Sequence, residues 1–275
     1  MRKRFSERYS FTNPRDTFQI NSIDDGLKNR IWNQIQICYF DSIKTTNLDI
    51  HFKNDYDFFI RIYDEFFKSH KKIELYLNPI NKEIKKTFFS FQWYEIYDFI
   101  EYISEVYHHV EINKQFKTKT NEVLENEMSG YRFINNFITP IIDEIEIKEI
   151  EESLNCEYTG AKLHLSNSLE FLSDRENPDY INSIKESISA VESVVNIVSG
   201  KTNVALNKCL QYIPFDMDKN FKSGMIKLYS WTSSADGIRH GITEEEIKSS
   251  FAEAKYMLVS CSAFINYLIE KQKEI

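Results

Sequence analysis

The residues with the greatest capacity for chemistry lie in one short segment near the end of the sequence. Residues 233–241 include Asp236, Arg239 and His240, and a glycine stands on either side of the Arg-His pair. Arginine offers a planar fork of donors to a phosphate, and histidine transfers protons near neutral pH. Glycine lets the backbone approach a ligand closely. The segment therefore has the parts of a phosphodiester site.

A purely structural interpretation of the same segment stays open. Arg239 and Asp236 can form a salt bridge within the loop, and His240 can cap the turn. A long helix is predicted to follow, over about residues 244–271, and the N-terminus of a helix favours an anion. The residue types alone are therefore compatible with a catalytic loop and with an ordinary polar loop.

The other histidines and the glycine content argue against a metal or a nucleotide cofactor. His108 and His109 are adjacent at the end of a predicted helix, so their side chains point in different directions. His164 lies beside an apolar helix face and is interpreted as structural. The sequence has neither GxGxxG nor GxxxxGK[ST], and no His/Cys cluster with the spacing of metal ligands. We expect no metal and no cofactor.

Positive charges at the start of the chain are candidate RNA contacts. They are Arg2, Lys3, Arg4, Arg8 and Arg15. A solvated basic tail is the alternative interpretation of these residues. The net charge of −8 argues against a non-specific nucleic-acid coat protein, but it allows an enzyme with a local basic cleft.

Length and composition are typical of a globular protein of about two domains. The chain has 275 residues, of which 42% are hydrophobic and 28% charged. Its apolar runs are far shorter than the roughly 18 residues of a membrane span, and its N-terminus lacks the apolar stretch of a signal peptide. Four cysteines without a CxxC pair are typical of reduced thiols. We expect a cytoplasmic protein with an aromatic core.

Hydrophobic periodicity predicts a mainly α protein in which the loop belongs to a helical bundle. Helices are predicted to follow Ser22, and at about 55–69, 91–110 and 118–127, with a hairpin around Asn135-Asn136 and an acidic helix at 143–152. The second half has longer helices at about 158–173, from Pro178 to the stop at Gly200, at 203–211, 219–231 and 244–271. We expect an N-terminal helical domain with a small β-hairpin at 1–153. An up-and-down helical bundle is expected at 154–275.

Several sequence strings in both halves resemble one family of proteins. In the first half they are FSERY at 5–9, PRDT at 14–17, QI at 19–20, LKNRIWN at 27–33, EMSGYRF at 127–133 and ITPI at 138–141. These look like the N-terminal domain of AbiJ-type abortive-infection proteins. In the second half they are PDYINSIKESI at 178–188 and DGIRH at 236–240. These resemble the C-terminal domain of such proteins, which is similar to the HEPN superfamily of helical-bundle ribonucleases.

The resemblance implies a role in phage defence through metal-independent RNA cleavage by a homodimer. The HEPN motif has an arginine, a polar residue, and a histidine four to six positions after the arginine. Arg239 matches the arginine, and His240 falls on the polar position. The residues four to six positions after Arg239 are Thr243, Glu244 and Glu245, so the expected histidine is missing. Either His240 takes its role, helped by a carboxylate, or the activity has been lost.

The function hypothesis is therefore an antiphage endoribonuclease of the HEPN type, with transfer RNA as one candidate substrate. Arg239, His240 and Asp236 form its predicted catalytic group, and Glu186 on the helix after Pro178 is predicted to orient Arg239 unless it is merely an exposed helix residue. A homodimer through the C-terminal bundle is expected, together with an antitoxin or sensor partner and no membrane association. The alternative is a non-catalytic dimeric sensor or adaptor, which the missing histidine favours.

Overall fold

The computed structural model divides the chain into two compact units. It describes residues 5–9, 11, 17–43, 50–69, 77–174, 177–202, 204, 206–231 and 249–275. Unit 1 comprises Met1–Ile138 and unit 2 comprises Thr139–Ile275. The described part of the chain is mainly helical and contains a two-stranded hairpin, which confirms the predicted mainly α fold class. The predicted domain boundary after residue 153 stays a prediction.

Unit 1 consists of helices around an aromatic core and ends within the hairpin, whose last residue, Thr139, is the first residue of unit 2. Its elements are α1 (Phe5–Arg8), α2 (Asp25–Ile35), α3 (Ile50–Arg61), α4 (Leu77–Ser90), α5 (Trp93–Val106), α6 (Val110–Asn126), β1 (Arg132–Ile134) and β2 (Phe137–Thr139). Short π-helical segments extend α2 over Gln36–Phe40 and α3 over Ile62–Phe66. The hairpin is confirmed, and its first turn residue, Asn135, has a φ of 54°, a conformation that asparagine tolerates.

Aromatic side chains fill the core of unit 1, as the composition predicted. Phe99 is fully buried and its ring lies 5.3–6.0 Å from the rings of Phe66, Phe67, Phe88 and Phe91. A second group surrounds the equally buried Tyr39 and consists of Phe58, Tyr107 and Phe116. Rings at these separations add to the stabilisation that burial alone provides.

Several predicted helix boundaries in unit 1 were wrong. Asp24, not Ser22, caps α2, because its Oδ1 accepts a hydrogen bond from the N–H of Leu27 at 2.8 Å. The helix predicted over 91–110 ends at Val106, and the next one begins at Val110 rather than near 118. Helix α4 was not predicted at all.

Unit 2 is built from helices that pack side by side. They are α7 (Glu144–Leu154), α8 (Thr159–Ser173), α9 (Tyr180–Val198), α10 (Leu206–Cys209), α11 (Lys219–Trp231) and α12 (Phe251–Lys273). Helix α9 packs against both α8 and α12, and α7 packs on α12. Gly200 ends α9 with a φ of 66°, as predicted. The predicted start at Pro178 was wrong, because Asp179 caps α9 by accepting from the N–H of Asn182 at 2.9 Å.

Helices α9 and α12 carry apolar side chains beside their main apolar stripes, and most of these side chains are buried. Ala190 and Val194 of α9 are fully buried, as is Met257 of α12, while Phe264 is 3% exposed and Tyr256 is 55% exposed. A second copy of the chain is therefore not needed to bury most of these side chains. The homodimer stays a prediction.

Candidate functional site

Most of the predicted site residues lie outside the residues that the structure describes. These are Asp236, Arg239 and His240 of the loop, and Arg2, Lys3, Arg4 and Arg15 of the N-terminal segment. Arg8 is described, and it is an exposed residue at the end of α1. Residues 232–248 stand in the sequence between α11, which ends at Trp231, and α12. Ser250 caps α12 by accepting from the N–H of Ala252 at 3.2 Å.

Glu186, the remaining predicted site residue, belongs to a polar cluster between α8 and α9. Its Oε2 lies 2.7 Å from Nδ1 of His164 and accepts a hydrogen bond from Nδ2 of Asn167 at 3.2 Å. The Glu186 side chain is 24% exposed and that of His164 is 35% exposed. Glu186 is therefore a half-buried, hydrogen-bonded carboxylate. Whether it also orients Arg239 stays a prediction.

His164 and Asn167 were not predicted as site residues, although the sequence carries a signal for them. They are three positions apart on α8, so their side chains emerge from the same face of that helix. Periodicity within one helix does not show which residue of another helix faces them, and His164 was therefore interpreted as structural. The contact with Glu186 shows a histidine paired with a carboxylate and still partly open to solvent.

Three fully buried serines hold α8 against α9 beside this polar cluster. Ser168 donates from Oγ to the backbone oxygen of Ser183 at 2.9 Å, and its Oγ lies 2.8 Å from Oγ of Ser187. Ser183 returns a hydrogen bond from Oγ to the backbone oxygen of Ser168 at 2.9 Å. Every buried hydroxyl in this group has a partner, so the two helices are held in one register. That register places His164 opposite Glu186.

A close helix approach reinforces the same register towards the start of α8. A Cβ atom at Gly160 would lie only 2.6 Å from Oγ of Ser193 on α9. The absence of a side chain at residue 160 therefore lets the two helices come together at this end of the pair.

Unit 1 has a titratable cluster, but it lacks the character of a metal site. Nε2 of His108 lies 4.0 Å from Oδ1 of the buried Asp55, and the hydroxyl of Tyr107 donates to the same oxygen at 3.4 Å. Burial is the main cause that raises the pKa of Tyr107 above its usual value. Within the described parts of the chain, no group of three or more His, Cys, Asp or Glu residues could hold a metal ion.

Gln19 ties the segment before α2 to the segment before the hairpin. Its backbone N–H donates to the oxygen of Met128 at 2.8 Å, and its own oxygen accepts from the N–H of Gly130 at 2.9 Å. The Gln19 side chain donates from Nε2 to the oxygen of Glu127 and accepts at Oε1 from the N–H of Asp24, each at 2.8 Å. The contact joins two of the strings that suggested a family, QI at 19–20 and EMSGYRF at 127–133.

Arg30, from a third of those strings, completes the contact. Its Nη1 lies 2.6 Å from Oε1 of Glu127 in an ion pair that is partly open to solvent. Three of the first-half strings, QI at 19–20, LKNRIWN at 27–33 and EMSGYRF at 127–133, thus meet at the start of α2 and the segment before the hairpin, which indicates a structural role for them. Residues 3–155 match the family model of AbiJ N-terminal domain 4. The chain belongs to this family, because the match covers more than half of its 275 residues.

The AbiJ N-terminal domain indicates an abortive-infection, phage-defence context for the protein. The match extends past unit 1 and includes α7, which packs on α12 within unit 2. No curated protein and no solved structure matches this AbiJ-family chain. Among the described residues, no helix is both long and apolar enough to cross a membrane.

Proposed function

We propose that this AbiJ-family protein is an abortive-infection effector that cleaves cellular RNA without a metal ion, using a HEPN-like C-terminal domain in the cytoplasm. The observation that carries the proposal is the polar cluster on the α8–α9 pair of a helical unit. There a predicted site residue, Glu186, is a held and half-buried carboxylate rather than a solvated one. The defence context of the family supports the same conclusion.

The proposed reaction uses the RNA's own 2′-hydroxyl as the nucleophile. The 2′-oxygen attacks the neighbouring phosphorus, the bond from phosphorus to the 5′-oxygen breaks, and the products are a 2′,3′-cyclic phosphate and a 5′-hydroxyl. A proton leaves the 2′-hydroxyl and another reaches the departing 5′-oxygen, and His240 assists in this transfer. Arg239 stabilises the negative charge that grows on the phosphoryl oxygens, and Asp236 and Glu186 are the carboxylates available to orient it.

Both oxygens of Glu186 are relevant to that role. The contacts with His164 and Asn167 both end on Oε2. Among the residues that the structure describes, none hydrogen-bonds Oε1. This oxygen is the one that an arginine from the 232–248 segment would use.

A homodimer through unit 2 is part of the proposal, because two loops brought together would widen the positive cleft that grips RNA. The basic residues Arg2, Lys3, Arg4, Arg8 and Arg15 would add RNA contacts. Transfer RNA is one candidate substrate, and an antitoxin or sensor would restrain the activity. Light scattering at micromolar concentrations tests the dimer, and a mass of one chain at every concentration would contradict it.

The alternative function is a non-catalytic sensor or adaptor of a phage-defence system. One sequence observation favours it, namely that no histidine stands four to six positions after Arg239. An adaptor would leave cellular RNA intact when it is expressed, whereas the proposed effector would not.

Expression of wild type and Arg239→Ala under tight control tests the proposed function. The wild type should be toxic and should cleave cellular RNA to fragments with 2′,3′-cyclic phosphate ends. The same cleavage should occur in extracts treated with EDTA. Arg239→Ala should be neither toxic nor active on RNA. Arg61→Ala is the matched control, because Arg61 is an exposed arginine whose contact is a surface pair with Glu65 at 2.9 Å. Intact RNA in cells expressing the wild type, or equal cleavage by Arg239→Ala, would overturn the proposal.

A further inference from the structure

Helix α4 of unit 1 presents two positive charges on the face that points away from the core. Ile84 and Phe88 are fully buried and define the inner face of the helix, and the Phe88 ring lies 5.3 Å from that of Trp32. Lys82 and Lys86 are offset by two positions from these residues, so they lie on the opposite face, where both are exposed. They are four positions apart and therefore neighbours on that face, about 6 Å from each other along the helix axis.

A surface depression of about 790 Å³ lies against the same face. The described residues that line it are all on α4, namely Lys82, Glu83, Lys86, Thr87, Phe89 and Ser90. Phe89 is half-buried, and Nζ of Lys85 lies 6.0 Å from the centroid of its ring, so a third positive charge stands beside the depression. The segment 82–86 thus has three lysines against one glutamate, which is a net charge of +2.

The charges of Lys82 and Lys86 are not neutralised within the described part of the chain. No described carboxylate forms an ion pair with either of them, in contrast to Lys119, whose Nζ lies 2.8 Å from Oε1 of Glu122. Like charges four positions apart weaken a helix by about 0.2–0.5 kcal/mol. Anionic groups bound beside the two ammonium groups would offset this repulsion, so the face suits a ligand that carries successive negative charges.

Hydrogen bonds to α2 and to its π-helical extension hold this face in position. Lys28 of α2 donates from Nζ to the backbone oxygens of Phe89 and Phe91 at 3.0 and 2.9 Å, which fixes the end of α4. Asn81, one turn before the lysine pair ends, donates from Nδ2 to Oε1 of Gln36 at 3.0 Å. A helix that is already held loses little backbone freedom when a ligand binds to it, which favours binding.

We propose that this face of α4 binds the phosphate backbone of single-stranded RNA, with Lys82 and Lys86 on neighbouring phosphates. The inference deepens the proposed function, on which it rests for the choice of RNA as the polyanion. Lysine binds a phosphate as a point charge, and its binding releases counterions from the strand. The hydroxyl of Thr87 is a further donor to a phosphate oxygen. An unpaired base stacks on the half-buried ring of Phe89, which favours a single strand over a duplex and over an acidic protein segment.

Fluorescence anisotropy of a labelled single-stranded 2′-O-methyl RNA with the full-length protein tests the assignment. This RNA lacks the free 2′-hydroxyl of the proposed reaction, so binding is measured without cleavage. Each phosphate contact to a single strand contributes about 0.7 to the slope of log K against log salt concentration, which is about fivefold in affinity at 0.1 M salt relative to 1 M. Lys82→Ala/Lys86→Ala should therefore lower the slope by about 1.4 and the affinity at 0.1 M salt by about 25-fold. Its thermal unfolding should match that of the wild type, because both side chains are exposed.

Lys119→Ala/Lys148→Ala is the matched control, because it removes the same charge from two exposed lysines that each pair with a glutamate, at 2.8 and 3.6 Å. Its slope should stay that of the wild type. An equal fall in both double variants, or an unchanged slope in Lys82→Ala/Lys86→Ala, would overturn the assignment while the proposed function stands. Absent binding by the wild type, or equal competition by polyglutamate of the same charge, would also overturn it. The expected loss of binding, together with natural RNA that the wild type leaves intact, would overturn only the proposed function.

Discussion

Replacing Gly160 by alanine tests how closely α8 and α9 pack in unit 2. The new Cβ would lie 2.6 Å from Oγ of Ser193, which is about 0.8 Å closer than an ordinary contact beginning near 3.4 Å. Overpacking of this kind costs about 1–3 kcal/mol. Replacing glycine by alanine inside a helix stabilises the folded state by about 0.5–1 kcal/mol, because alanine loses less backbone entropy on folding. We therefore expect Gly160→Ala to lower the free energy of unfolding by up to about 2.5 kcal/mol.

Ser193→Ala provides the matched background for this change. It removes Oγ and leaves the Cβ of residue 193 at 3.7 Å from the new methyl group, which is an ordinary contact. In that background Gly160→Ala should stabilise unit 2 by about 0.5–1 kcal/mol, so the two substitutions should couple. Calorimetry of the full chain measures the change in stability as a shift in Tm of about 3–5 °C per kcal/mol. Hydrogen exchange of the α8 amides then assigns this change to unit 2. Equal effects of Gly160→Ala in the two backgrounds would refute the close approach.

Two further predictions concern the core of each unit. Phe99→Ala removes a fully buried ring of unit 1 and should lower the free energy of unfolding in urea by about 3–5 kcal/mol. Phe5→Ala removes a ring that is 62% exposed and should lower it by less than about 0.5 kcal/mol. Similar losses for the two variants would contradict the assigned core. Burial raises the pKa of the Cys261 thiol above its usual 9.0, so the stability that the thiol contributes is complete below pH 9 and is lost as the pH rises beyond it. Between pH 8 and pH 10 the free energy of unfolding, measured with urea, should therefore fall by about 1.4 kcal/mol more in the wild type than in Cys261→Ala. An equal fall in the two proteins would contradict a raised pKa at Cys261.

Local signals in the sequence were sufficient where a structure is determined by neighbouring residues. The hairpin was predictable from Asn135, because its turn needs a residue that tolerates a positive φ. Asn135 has a φ of 54°. The end of α9 at Gly200 is likewise a property of one glycine with a positive φ. Both predictions are confirmed, because the backbone conformation of each turn residue is a property of that residue and its immediate neighbours.

Boundaries that depend on side chains folding back were not predictable from periodicity. The apolar pattern of α5 continues through Val110 without glycine or proline, which predicted one helix over 91–110. The structure ends α5 earlier, and Asn113 donates from Nδ2 to the freed backbone oxygen of Tyr107 at 2.8 Å. Asn113 also accepts from the hydroxyl of Tyr39 at 3.2 Å, so a contact with α2's extension helps to define the break.

The candidate site shows the same limit. Glu186 was identified from its place on α9, but its partners His164 and Asn167 depend on the register between two helices. That register is determined by Gly160 and by buried serines, which periodicity counts as neutral residues. A pattern within one helix therefore identifies the carboxylate and leaves out the imidazole.

The pairing of α7 with α12 has a consequence for the order in which the protein folds during its synthesis. Lys255 of α12 binds Glu146 of α7 at 2.7 Å across 109 positions of the chain, and Asn266 binds Glu149 across 117. The tie between Gln19 and Glu127 can form as soon as the hairpin leaves the ribosome, and folding during synthesis proceeds from the N-terminal part. Helix α7 must instead wait, its apolar face uncovered, until α12 has emerged. A nascent chain can thus carry a finished unit 1 while unit 2 is incomplete, and any activity of unit 2 begins only after the ribosome has passed the last helix.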